Sequence, residues 1–281
     1  MPGRDPDEIW SESVEEGERR LARRPLGLAA TGVVGGIDVM LGIMAMTVVS
    51  GALAISLPEQ IAHVAGSLFF GVAFVLILVG RSELFTENFL VPIAALLRGR
   101  GRARDLAVLW TVTMAGNLAG ILLLAAILTR AGLVPPDALD AAGTLADTFA
   151  SRDIVAAFLS AVVAGTTMTL LTWLSEAVEL DMSRIALALL MGFLLAVPSL
   201  NHAVVSVGEM SFGVLAGTSH KATWTDLAQN FPVAVAGNLV GGLGFVTLAR
   251  ILQIRGEPDN APHEGTAAPL PQDGASVPAR H

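Results

Sequence analysis

Asparagine and histidine, at positions 201 and 202, interrupt an apolar stretch that runs from Ile185 to Gly217 and reads IALALLMGFLLAVPSLNHAVVSVGEMSFGVLAG. A bilayer core accommodates about 20 helical residues, so this length with a Pro198–His202 interruption predicts two half-helices that meet near the midplane. An imidazole at that depth can give or take a proton near neutral pH. His202 is therefore our first candidate for a transport residue, with Asn201 beside it.

A second polar group interrupts another apolar stretch, between Ile61 and Leu97, and reads Arg81-Ser82-Glu83-Leu84-Phe85-Thr86-Glu87-Asn88. This stretch resembles the one around His202, because it too is an apolar segment too long for one crossing and is interrupted by polar residues. Thr86 lies in this break as His202 lies in the other, so this break could supply a partner for the imidazole. Half-helix N-termini at the breaks would add partial positive charge where an anion could sit.

Six apolar segments must position these residues. They run over about 26–57, 61–97 with its break, 106–128, a fourth that ends near 173, the broken 185–217, and 227–254. We predict an all-α integral membrane protein in three parts. Residues 1–25 form an amphipathic cytoplasmic segment, 26–255 form the six-span domain, and 256–281 form a disordered cytoplasmic tail. A helix over 7–24 would be either solvated or interfacial.

An internal repeat relates the two halves. DLAVLWTVTMAGNLAG begins at Asp105 and DLAQNFPVAVAGNLVG at Asp226, with nine of sixteen positions identical at an offset of 121. Each half then holds three spans, and because three is odd the halves have opposite orientation. A 3+3 inverted repeat with two broken helices is a transport architecture. Asn117 and Asn238, at equivalent positions, could bond backbone freed at the breaks, join helices, or line a pore.

Composition excludes several other classes. Only 15% of the residues are charged, against about 25% in soluble domains. The net charge of −8 comes with no basic nucleic-acid patch, and no cysteine is present for disulfides. Glycine runs lack the Lys-Ser/Thr of a P-loop, and scattered histidines do not favour a metal site. We expect no enzyme, metal or cofactor.

Arginine placement predicts the orientation. Basic residues of the N-terminal segment, the 98–104 loop, Arg184 and the C-terminal tail all lie on one side if both termini are cytoplasmic. The predicted location is the inner or plasma membrane, with the lipid bilayer as a partner.

The sequence also resembles the formate/nitrite transporter family, over roughly 27–254. The matching motifs are Glu83-Leu84-Phe85-Thr86, Gly116-Asn117-Leu118, Asn201-His202 and Gly237-Asn238-Leu239. The resemblance implies an aquaporin-like fold, a homopentamer with a pore in each protomer, and passage of small monovalent anions such as formate, nitrite or hydrosulfide with a proton. The implied pathway residues are His202, Thr86, Leu84, Asn201, Phe69, Phe70, Leu195, Asn117 and Asn238.

Three departures from the family pattern leave the charge of the substrate open. Many members carry a lysine before the fourth span, where this chain has Arg152 as a candidate substitute, and its only lysine is Lys221. Glu87 replaces a small residue and lies close to Glu83, with Arg81 as a candidate partner for either. Asn201 stands where an acid often precedes the histidine. These three residues, Arg81, Glu83 and Glu87, are predicted to modify selectivity.

Two alternatives remain beside an anion channel or transporter. A neutral-solute channel would fit the missing lysine and the extra carboxylate. A non-conducting membrane scaffold or sensor would fit the charged N-terminal segment and the long C-terminal tail.

Overall fold

A computed structural model of the chain describes residues 4–130 and 132–256, and regular structure in this part is helical. The helices are α1 (Pro6–Leu21), α2 (Pro25–Ala54), α3 (Glu59–Gly80), α4 (Val91–Leu97), α5 (Ala103–Leu128), α6 (Pro136–Ala150), α7 (Ile154–Ala177), α8 (Asp181–Ala196), α9 (Val205–Ala216), α10 (Trp224–Leu239) and α11 (Leu248–Gly256). A 3-10 turn, Phe85–Phe89, precedes α4, and a π-helical segment, Val240–Thr247, joins α10 to α11.

Five helices are long and apolar enough to cross a bilayer: α2, α3, α5, α7 and the continuous α10–α11. The prediction of an all-α membrane protein is confirmed. Both predicted breaks are present, one between α3 and α4 and the other between α8 and α9. The sixth span would be the α8–α9 pair, and that count stays a prediction. The predicted tail lies, from residue 257 onward, outside the described residues.

The inverted repeat is visible in how closely its helices approach. Gly120 of α5 faces the carbonyl of Val33 on α2, and a Cβ there would lie 2.1 Å from that oxygen. Gly241, 121 positions later, faces the carbonyl of Val162 on α7 in the same way, at 1.9 Å. Small residues thus allow backbone-to-backbone packing, as in other membrane helix pairs.

Two further glycines, Gly36 on α2 and Gly165 on α7, face the carbonyls of Asn117 and Asn238. We expect Gly36→Ala to destabilise the folded protein by about 1–3 kcal/mol or more, because its Cβ would lie 2.1 Å from backbone oxygen. Thermal unfolding in detergent would measure this. Gly27→Ala is the control, since no atom lies within 4 Å of its Cβ, and its melting temperature should stay level or rise. Equal behaviour of the two variants would contradict the packing argument.

Helix α1 packs against one end of the bundle. Its apolar stripe, Ile9, Trp10 and Val14, is buried against α4, Trp173 and Val246. Pro6 at the first helical position and acidic residues in the first turn favour the helix start. The helix expected from the sequence is therefore present, and its apolar face packs against the rest of the protein.

Helix α6 (Pro136–Ala150) lies within the segment 129–152, for which the sequence suggested only a connector. It packs against α9 and α2. Near its end, Asp147 accepts hydrogen bonds from the hydroxyl of Ser219 and from three backbone N–H groups, of His220, Lys221 and Ala222. Partial burial raises the pKa of Asp147, but these donors outweigh that effect and hold it below its ordinary value. The loop after α9 is thereby tied to α6.

Candidate functional site

Thr86 and His202 meet between the two breaks. The Oγ1 of Thr86 lies 2.7 Å from Nε2 of His202, and both residues are fully buried. The backbone N–H of Val205 donates to Nδ1 of the same ring at 3.1 Å. Nδ1 is thus an acceptor, so the ring hydrogen is on Nε2 and is donated to the threonine hydroxyl. The two breaks hold a neutral imidazole in a single tautomer.

The first break is held by Asn117 of α5. Its Oδ1 accepts the backbone N–H of Phe85 at 2.9 Å, and its Nδ2 donates to the carbonyls of Gly32 and Glu83, each at 2.8 Å. The amide thereby satisfies two backbone groups of the break, the N–H of Phe85 and the carbonyl of Glu83. A buried asparagine with three such bonds is a rigid brace.

The second break is held in the same way by Asn238 of α10. Its Oδ1 accepts the N–H of Ala203 at 2.8 Å, and its Nδ2 donates to the carbonyls of Ala161 and Asn201, at 2.8 and 3.1 Å. The two amides therefore make equivalent bonds in the two halves. Leu84 in the first half is therefore the repeat equivalent of His202 in the second. Each residue directly precedes the one whose backbone N–H is bound by the asparagine amide.

Asn201 serves the second break as well. Its amide exchanges hydrogen bonds with Asn230, at 2.8 and 2.9 Å, and donates to the carbonyl of Ala157. Its backbone N–H donates to the hydroxyl of Ser160 at 3.0 Å. The side chain beside the histidine is thus used to position the loop.

Two cavities open at opposite ends of α3 and α8. The α6 cavity, about 860 Å³, is lined by α6, His63 and Val197 among others, and the α1 cavity, about 420 Å³, by α1, Ile77 and Arg184 among others. From His63 to Ile77 α3 rises about 21 Å. Residues of the first break line the α1 cavity and residues of the second line the α6 cavity, and an apolar layer lies between the two cavities.

That layer contains three of the predicted pathway residues, Phe70, Leu84 and Leu195, each at most 1% exposed. Phe70 packs edge-on against Phe74, with ring centroids 5.5 Å apart. Phe69 does not join them: it is 47% exposed on another face of α3, because successive helical residues point about 100° apart. Of the two phenylalanines named from the sequence, the structure places Phe70 in the buried layer.

The carboxylate of Glu83 pairs with Arg20 of α1 and with Arg23 in the turn that follows α1. Its Oε2 lies 2.7 Å from Nη1 of Arg23, and its Oε1 lies 3.1 Å from Nε of Arg20. Glu87 instead accepts the backbone N–H of Leu84 at 2.9 Å. Arg81, the partner suggested by the sequence, caps α3 in a left-handed conformation and forms no ion pair among the described residues. The sequence left the partner of Arg81 open between Glu83 and Glu87, and in the structure it pairs with neither. Arg20 and Arg23 supply both cations at Glu83.

We expect Glu83→Gln to loosen α1, because two arginine charges would lose a buried partner whose removal costs about 3–5 kcal/mol. Limited trypsin digestion should then release the first 23 residues faster than in the parent protein. Glu18→Gln is the matched control, since it breaks only the exposed pair with Arg100. Equal digestion of the two variants would contradict this role for Glu83.

Arg152 lies at the wall of the α6 cavity. Its guanidinium stacks on Phe149, 4.9 Å from the ring centroid, and donates to the hydroxyl of Ser160 and the carbonyl of Pro198, at 3.4 and 3.3 Å. Lys221 lies close by but at the surface, with Nζ 3.1 Å from the Ser151 hydroxyl. In the described part of the chain, no three His, Asp or Glu side chains converge as metal ligands.

Comparison with known proteins identifies the relatives of this arrangement. The formate/nitrite transporter family model matches residues 7–252. Inner membrane protein YfdC of Escherichia coli (strain K12) is 23% identical over 253 residues, which is 88% of this chain and 78% of that protein. Two solved structures, an FNT family ion channel and a pentameric formate channel with formate bound, each at 18% identity, superpose with TM-scores of 0.78 and 0.68. They cover 88% and 82% of this chain, over 99% and 98% of their own.

Proposed function

The chain belongs to the formate/nitrite transporter family, and from this we propose that it is a membrane channel or transporter for a small monovalent weak-acid anion of the formate or nitrite type. The observation that carries the proposal is the Thr86–His202 pair, buried in an apolar layer between two cavities. We further propose that the chain works as a homopentamer, as the pentameric formate channel does, with one pathway through each protomer.

The apolar layer argues for passage of a neutral acid. An isolated anion moved into such a medium carries an idealised Born cost of tens of kcal/mol. Protonation before the layer removes most of that cost. We propose that His202 takes part through its two nitrogens: Nε2–H is given to the anion, and Nδ1 accepts a replacement proton once its bond from Val205 opens. One proton leaves the ring and one enters, so the imidazole stays neutral overall.

Arg152 supports the same proposal at the α6 cavity. It supplies a positive charge at the cavity wall and keeps part of its guanidinium accessible. A cation there raises the local concentration of anions. We propose Arg152 as the functional substitute for the lysine found in many family members.

The orientation follows from the arginine distribution and is also a proposal. With both termini in the cytoplasm of a plasma or inner membrane, the α1 cavity would face the cytoplasm and the α6 cavity the outside. Exposed apolar side chains on α3 and α7, such as Leu76 and Leu159, would then contact lipid or neighbouring protomers.

A neutral-solute channel is the second candidate, favoured by one observation. The α1 cavity is lined by six glutamates, including the buried Glu83 and Glu87, against five arginines, and carboxylates discourage anions. A neutral-solute channel predicts solute flux that does not depend on a proton gradient.

Flux into proteoliposomes tests the proposed function. Formate, nitrite, hydrosulfide and a neutral solute of similar size would each be assayed at acidic and neutral external pH, with protein-free liposomes as the baseline. We expect anion entry that rises as the external pH falls. Neutral-solute flux alone would overturn the anion proposal, and absence of all flux would favour a scaffold or sensor.

A further inference from the structure

A carboxyl group in the core of the protein has no hydrogen-bond partner. Glu209 of α9 is 2% exposed, and its Oε2 is fully buried without a donor among the described residues. An ionised carboxylate in this position lacks the hydrogen bonds that normally stabilise a buried charge. It is also the only acidic side chain on an otherwise apolar half-helix. Burying an ionisable side chain costs free energy, and such a residue inside a membrane protein indicates a functional role.

Glu209 lies on the path between the central histidine and the α6 cavity. The N–H of Ser206 donates to the carbonyl of His202, and Glu209 follows one turn later, so the carboxyl is about 10 Å along the helix from the histidine. Helix α9 runs toward α6, because the loop after it binds Asp147. The acid is therefore beyond the histidine, on the side of Arg152.

Arg152, at the wall of the α6 cavity, is a basic side chain on the same side of the apolar layer as Glu209, because α9 packs against α6. The two groups do not form an ion pair within 4 Å, and the guanidinium is engaged instead with Phe149, Ser160 and Pro198. The interaction between them is therefore long-range, and in a poorly hydrated interior such interactions weaken slowly with distance. A charge on Glu209 would offset the positive potential that Arg152 presents to the cavity.

No charged group among the described residues forms an ion pair or hydrogen bond with Glu209. Helix α9 packs against α2, α5, α6 and α10, and His202 precedes it. The remaining acids on those helices have other partners or other positions: Asp38 bonds Ser82, Asp105 pairs with Arg102, Asp147 binds the loop after α9, Asp226 caps α10, and Asp137 and Asp140 line the α6 cavity. The carboxyl of Glu209 is also not bound by the basic residues Arg104, at the start of α5, or His220 and Lys221, after α9.

We propose that Glu209 is a proton-binding site that controls anion entry by setting how much positive charge Arg152 presents to the α6 cavity. With the proton bound, Glu209 is neutral and Arg152 attracts the small monovalent anion. With the proton released to cavity water, the carboxylate cancels much of that attraction. Proton binding at Glu209 and anion binding near Arg152 then strengthen each other by the same factor.

This inference rests on the proposed anion transport and adds a second ionisable group to it. The anion need not touch Glu209, in keeping with the absence of this residue from the cavity wall. The histidine acts at the apolar layer, whereas the glutamate acts on entry. The two roles therefore predict different kinetic changes: a maximal-rate change for His202 and a change in KM for Glu209.

The test measures KM for formate, in proteoliposomes of the full chain, as a function of external pH. In the parent protein KM should rise at least about fivefold from acidic to alkaline pH, a typical coupling between linked sites. In Glu209→Gln, which resembles the protonated acid, KM should be low and should no longer depend on pH in this way. Glu59→Gln is the matched control: it removes an exposed carboxylate at the rim of the same cavity and should keep the parent pH dependence, because exposed charges are screened.

Arg152→Gln keeps the inference testable if Glu209→Gln does not fold. It should raise KM and remove most of its pH dependence, whereas Arg152→Lys should retain both properties in large part. A pH-dependent KM that survives in Glu209→Gln or in Arg152→Gln would overturn the role of Glu209 while leaving anion transport established. Absence of formate flux in the parent protein would instead overturn the proposed function on which the inference rests.

Discussion

His202→Asn should lower anion flux by about tenfold to a hundredfold and flatten its pH dependence, while the protein still assembles. The magnitude follows from the loss of a positioned proton donor and acceptor. The asparagine oxygen can still accept the N–H of Val205, which in the parent protein bonds Nδ1, although the shorter side chain no longer reaches the hydroxyl of Thr86. Asparagine cannot, however, pass a proton between two nitrogens. The change should thus affect transport more than folding.

Proteoliposome flux at two pH values, with size-exclusion chromatography for assembly, would measure both effects. His220→Asn is the matched control, because His220 lies in the exposed loop tied to Asp147 by its backbone N–H, and its flux should equal the parent's. Thr86→Ser, which keeps the hydroxyl, should retain most of the flux. Unchanged pH-dependent flux in His202→Asn would rule out the histidine mechanism.

Asn238→Leu should destabilise the protein by about 3 kcal/mol or more and reduce the yield of folded protein. The leucine has a similar volume, but it leaves the N–H of Ala203 and the carbonyl of Asn201 without their bonds and removes a second bond from the carbonyl of Ala161, which also accepts within α7. Each unsatisfied buried group costs about 1–3 kcal/mol. The second break would then lose its register, and His202 would lose its position with it.

Thermal unfolding in detergent is the direct measurement, and Asn117→Leu should behave in the same way because its three bonds are equivalent. Thr166→Val serves as the control, since it deletes one hydroxyl bond to the carbonyl of Val162 within the same helix and should lower the melting temperature only slightly. If Asn238→Leu unfolded at the parent temperature, the brace assigned to this amide would be incorrect.

Much of the fold was predictable from the sequence because a bilayer restricts the options. Apolar length identifies the spans, and polar residues within an apolar stretch identify the breaks, because free backbone groups must be satisfied inside protein. The repeat around Asn117 and Asn238 then identifies the two halves and their opposite orientation. These signals are local or periodic, and for that reason one sequence is enough to show them.

Side-chain pairing depended on the tertiary structure. Arg20 and Arg23 reach Glu83 across about sixty residues of sequence, and the nearer Arg81 points elsewhere. The choice between Phe69 and Phe70 required the rotation of α3, and the isolation of Glu209 required its neighbours from four helices. Spacing along a chain limits which residues can lie on one helical face, but it does not determine which faces meet. The sequence by itself therefore determined the architecture and the central His202, whereas packing decided which charges neutralise one another and which acid remains unpaired.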